Sequence, residues 1–85
     1  MMQNDEELLT VHELRTRTGL SQVEFSAKYD IPTRTVQNWE MHENDPTKGR
    51  EIVPWVLRML NRIVREDFPE AFGHGASPEF GKLER

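Results

Sequence analysis

The chain has 85 residues, 31% of them charged, with a formal net charge of −4 and no cysteine. That length supports one small domain around a single core, and the missing cysteines exclude a disulfide framework and any Cys-ligated metal site. Residues 1–13 carry four acids and no Lys or Arg, residues 66–85 carry five acids against Lys82 and Arg85, and residues 14–65 hold nine bases and six acids, so a mildly basic centre lies between acidic ends.

From Asp5 onward Leu8, Val11 and Leu14 recur at three-residue steps, and Thr18 with Gly19 supplies a stop; a first helix is predicted there. Ser21 with Glu24 three residues on is a capping box, which opens a second helix reaching about Tyr29. Ile31 is pushed out of the α region by Pro32. Pro32 itself is tolerated in a first turn, so a third helix is predicted from there to about Met41. HENDPTKGRE, which follows, reads as loop from its clustered turn residues. IVPWVLRMLNRIVRE then places apolar residues at 52, 53, 56, 57, 60, 63 and 64. That is a broad amphipathic stripe, with Pro54 in the first turn of a fourth helix. Pro69 limits this helix, and the Gly-, Ser- and Pro-rich remainder is expected to form a mobile tail over 67–85. The expectation is an all-α, four-helix domain at 1–66.

The second and third helices are too short to be stable alone and must pack steeply across a turn of about three residues. Counted from Gln22, the residues Phe25, Tyr29, Ile31, Val36 and Trp39 fall where side chains point inward. Ser26 is small where the two helices cross, and Asp30 occupies the turn. With these offsets TGLSQVEFSAKYDIPTRTVQNWE resembles the Cro and phage-repressor type of helix-turn-helix DNA-binding domain, the xenobiotic-response-element family. The resemblance covers about residues 8–65, and residues 19–40 carry nearly all of it. It implies a lambda-repressor-like domain of four helices, five in many relatives, with its motif at about 21–41. It further implies a sequence-specific DNA-binding transcriptional regulator of bacterial or phage type. Asp30 stands where the family usually has Gly, Ser26 where it usually has Ala, and MHEND is acidic where many relatives carry Gly and bases.

On the third helix Val36, Trp39 and Glu40 share one face, and Thr33, Arg34, Gln37, Asn38 and Met41 share the other. Arg pairs with guanine O6 and N7, Gln or Asn with adenine N6 and N7, and a Thr methyl meets the thymine methyl. The resemblance places base contacts at Thr33, Arg34, Gln37 and Asn38. Ser21 and Gln22 open the second helix, whose N–H groups and dipole suit a phosphate. Lys48 and Arg50, and more weakly Arg17, read either as phosphate contacts or as solvated surface. The resemblance also implies a structural salt bridge between Arg15 and Glu40.

His12, His42 and His74 are far apart, so no metal and no cofactor are expected. No nucleophile–base set or phosphate loop is present, and an enzyme is not expected. Trp55, Leu57 and Met59 widen the apolar stripe of the fourth helix, which in relatives often forms a twofold interface. They imply a homodimer, unless with Phe68 and Phe72 they close the domain's own core. Double-stranded DNA is the expected partner. The rival function is an antitoxin or other protein-interaction module that keeps the helix-turn-helix fold, its acidic ends holding a protein such as a toxin. No apolar run approaches the ~18 residues that span a bilayer, and MMQNDEELL is not a signal peptide, so a cytoplasmic protein is expected.

Overall fold

The computed structural model describes residues 8–72. Among them the chain forms four helices, α1 (Val11–Thr18), α2 (Gln22–Tyr29), α3 (Thr33–Asn44) and α4 (Pro54–Asp67), then a 3-10 helix, Pro69–Phe72. No strand occurs among the described residues.

The start of α1 differs from the sequence expectation. Thr10 is its N-cap: the Thr10 hydroxyl accepts from Glu13 N at 3.1 Å, and Glu13 Oε1 accepts from Thr10 N at 2.9 Å. Glu43, from α3, accepts from Val11 N at 2.7 Å and His12 N at 3.1 Å. Leu14 N bonds Thr10 O at 2.9 Å. Every donor that a helix start ordinarily leaves orphaned is thus satisfied. The helix begins at Val11, and Leu8 lies before it, 52% exposed. Residues 5–7 of the expected helix lie outside the described residues.

α2 starts at the Ser21–Glu24 capping box, with bonds of 3.0 and 2.9 Å. It ends at Asp30, whose φ of 58° and ψ of 41° are left-handed, a conformation that Asp adopts more readily than most residues. Pro32 is the N-cap of α3 and stands just outside its first turn. α3 then runs past Met41 to Asn44, so the first part of the expected loop is helical. The physical reason is Glu43: the added turn carries its carboxylate to the amides of α1.

The core gathers Val11 and Leu14 of α1, Phe25 of α2, Val36 of α3, Leu60 and Val64 of α4, and Phe72. α1 packs against α3, α4 and the 3-10 helix, while α2 packs on α3. One polar side chain sits inside the packed face of α4. Asn61, 5% exposed, accepts from Leu9 N at 2.9 Å and donates to Leu9 O at 3.0 Å and Leu57 O at 2.9 Å. It therefore clips the segment before α1 to the middle of α4.

The end of the domain also moves. Phe68 and Ala71 pack on the core and Phe72 is buried within it, so the folded unit reaches at least residue 72 and not 66. The rest of the expected tail, 73–85, lies outside the described residues. The Tyr29 hydroxyl donates to Asp67 Oδ2 at 2.8 Å, which joins α2 to the end of α4. Burial, then the Asp67 carboxylate, raises the pKa of that phenol. No helix among the described residues is long and apolar enough to cross a membrane.

Candidate nucleic-acid interface

The angle of α3 is set by groups on its inner side. Val36 is fully buried, Trp39 packs against the core, and Glu40 lies between α1 and α2. Arg15 Nε donates to Glu40 Oε2 at 2.7 Å, and Arg15 Nη2 donates to Glu40 Oε1 at 3.0 Å, a two-point bridge. The pair is shielded, with side chains 15% and 9% exposed. Gln22 Nε2 and His12 Nδ1 each lie 3.1 Å from Glu40 Oε1, the latter bond requiring the proton on Nδ1. Burial pushes the Glu40 carboxyl up, but the hydrogen bonds from Arg15, His12 and Gln22 outweigh it and hold it below the ordinary range. Arg15 also donates to Leu20 O at 3.0 Å, so one guanidinium joins α1, the α1–α2 connection and α3.

The outer side of α3 presents Arg34, Gln37 and Met41 as exposed side chains, with Asn38 half-buried beside them. Thr33 is placed differently. It is half-buried and borders a notch with Val23, Ser26 and Ala27 of α2. Gln37 and Met41 border a cleft that α3 forms with the start of α1, where Thr10, His12 and Gln22 also lie.

The α3–α4 connection folds back onto this outer side. Gly49 has φ of 66°, and a Cβ there would collide with the Asn38 carbonyl and stand 2.8 Å from His42 N. Arg50 N donates to Asn38 O at 3.1 Å, and His42 Nδ1 lies 3.1 Å from Lys48 O. Lys48 and Arg50 are consequently fixed by backbone contacts next to α3 while their side chains stay exposed.

The remaining candidates divide. Ser21 is exposed at the start of α2, its hydroxyl accepting from Glu24 N. The amide of Gln22 is committed to Glu40. Arg17 lies away from this group: its guanidinium sits 5.6 Å from the Phe72 ring, on the opposite side of α1 from Arg15. Trp55 and Met59 are 58% and 48% exposed, whereas Leu57 packs on the core, so the three do not form one surface. No group of three or more His, Asp or Glu side chains suited to a metal ion occurs among the described residues.

Three contributors to this geometry are absent from the sequence-based set. Thr10 with Glu13 repeats the capping-box spacing of Ser21 with Glu24 and was readable from it. Gly49 carried a weaker signal, as the glycine closing a turn-rich run. Glu43 carried none, because its partners are backbone amides 31 and 32 residues away.

Comparison with protein-family models, with curated proteins and with solved structures finds no match to this chain.

Proposed function

We propose that this protein is a sequence-specific DNA-binding transcriptional regulator of the helix-turn-helix type, and not an enzyme, with α3 entering the major groove. The observation that carries the reading is the outer side of α3. Arg34 and Gln37 are exposed there beside Asn38, on a helix whose inner side is locked by Val36 and the Arg15–Glu40 bridge. Arg34 suits guanine, and Gln37 and Asn38 suit adenine. Lys48 and Arg50, anchored next to Asn38 through Gly49, supply phosphate contacts on one flank. The hydroxyl of Ser21 and the first amides of α2 supply another. Thr33 contributes less than the residues that follow it, because it faces the notch against α2.

Selection of bound sequences from a random duplex library tests this directly. An enriched motif with a guanine is expected. Arg34→Ala should cost about 1–3 kcal/mol and relax one base position, while Lys48→Ala should weaken all duplexes alike and lower the salt slope by about one. No enrichment, or an Arg34→Ala protein that selects the same motif with equal affinity, refutes the reading.

A further inference from the structure

The exposed side of α4 carries a different chemistry from α3, and it does not enter the DNA reading. Trp55 and Met59 stand one helical turn apart and are 58% and 48% exposed, and Val53 just before the helix is 50% exposed. Arg58 and Arg62 are exposed on the same side, each three residues beyond one of these apolar side chains. Neither guanidinium has a carboxylate within salt-bridge distance among the described residues. Of the other α4 residues, Leu57 and Val56 pack on the core and Leu60, Asn61 and Val64 are buried, while Glu66 is exposed one turn beyond Arg62. From Trp55 to Arg62 the outward side is thus a strip of Trp, Met and two cations, the residue types that interface centres favour.

We infer that this strip is a docking surface for an acidic amphipathic helix of another protein. The apolar side chains of such a helix cover Trp55 and Met59, and its carboxylates meet Arg58 and Arg62. Charge selects this occupant over a second copy of the chain. Two α4 helices crossing antiparallel between Arg58 and Met59 would bring both Arg58 side chains close to the axis. Like charges opposed across an interface cost affinity. An acidic helix meets no such opposition from Trp55 to Arg62, where the strip carries no Asp or Glu.

The test pans a phage-displayed library of short random peptides against the full chain, then measures a synthetic copy of the recovered peptide. Recovered peptides should combine Asp or Glu with Leu, Phe or Met at helical spacing. Trp55→Ala and the pair Arg58→Glu with Arg62→Glu should each weaken that peptide roughly tenfold or more. Their melting temperatures and duplex-DNA affinities should stay unchanged. Recovery of peptides without acidic excess, or equal binding by the charge-reversed pair, overturns the inference. So does a solution dimer that Trp55→Ala dissolves, which would make the strip a self-interface. A charge-reversed pair that loses duplex affinity in place of peptide affinity overturns it as well, and identifies a phosphate-facing surface.

Discussion

Glu40 is the side chain whose replacement tests most of the architecture at once. Its carboxylate, 9% exposed, receives Arg15 at 2.7 and 3.0 Å, with Gln22 and His12 at 3.1 Å. Glu40→Gln keeps the shape and removes the charge, which should cost about 2 kcal/mol, the range of a charge-assisted hydrogen bond. Arg15→Met leaves a shielded carboxylate with only Gln22 and His12 to serve it. Breaking a fully buried pair costs about 3–5 kcal/mol, and these two donors keep the loss near 3. The double variant carries neither charge and should cost about 2 kcal/mol, well short of the sum. Urea unfolding followed by tryptophan fluorescence at pH 7 reads all three. Costs that add to within about 0.5 kcal/mol would show that the two residues are not coupled, and the role given to the bridge would be wrong. A pH series supplies a second check. The folded pKa of Glu40 is lowered, so its contribution is complete above the unfolded carboxyl value of about 4.3. It is lost as pH falls through the folded value. The wild-type advantage over Glu40→Gln should therefore hold at neutral pH and vanish in acid.

Ser26 is 3% exposed and its hydroxyl has no hydrogen-bond partner among the described residues; Ser26→Ala should stabilise by about 0.5–1 kcal/mol in the same unfolding assay. Gly49→Ala should destabilise by more than about 2 kcal/mol, since it combines a left-handed residue with a collision against the α3 backbone. Should the variant stay folded, its salt slope on duplex DNA should fall with the displacement of Lys48 and Arg50. Asn61→Leu should cost about 2 kcal/mol by stripping the Leu9 amide and carbonyl of partners. Limited proteolysis should then cut ahead of α1 sooner than in the wild type.

The parts of the fold legible in the sequence are those whose determinants are local. Ser21 and Glu24 mark the start of α2, Pro32 separates α2 from α3, and Pro54 opens α4, all within a few residues of what they control. The Thr10–Glu13 box was equally local, but the apolar spacing of Leu8 with Val11 and Leu14 favoured an earlier helix start. The other differences come from contacts distant in sequence. α3 outlasts Met41 because Glu43 meets amides of α1, and the unit continues past Pro69 because Phe72 fills the core. Asn61 shows a signal of a subtler kind. It lies between Leu57 and Val64 on one face of α4, and a polar residue inside an apolar stripe calls for a buried partner. The stripe marked the position, but only the fold supplies Leu9 as that partner. At the proposed interface the order of residues on α3 was legible, whereas the inward turn of Thr33, the capture of Gln22 and the diversion of Arg17 were not.

An acidic chain is an unpromising partner for a polyanion, and the acids nearest α3 would be expected to repel one. Their bonding reduces that objection. Glu40 is shielded and neutralised by Arg15. Both oxygens of Glu43 take amides from the start of α1, where the helix dipole offsets negative charge. Asp45 is turned to Thr47 N and Oγ1 at 3.1 and 2.7 Å, and the Thr47 hydroxyl and amide lower its pKa. Arg34, Lys48 and Arg50 are all exposed, and none has a carboxylate within salt-bridge distance among the described residues. An approaching anion thus meets exposed cations and, in Glu40, Glu43 and Asp45, acids already engaged by hydrogen bonds, and within a Debye length of about 8 Å the nearer charges dominate. The net charge of −4 is a property of the whole chain, whereas affinity for a phosphate backbone depends on this local arrangement. Reversing Arg34 or Lys48 should therefore weaken duplex binding far more than neutralising Glu43 strengthens it, although each variant shifts the total charge in the expected direction.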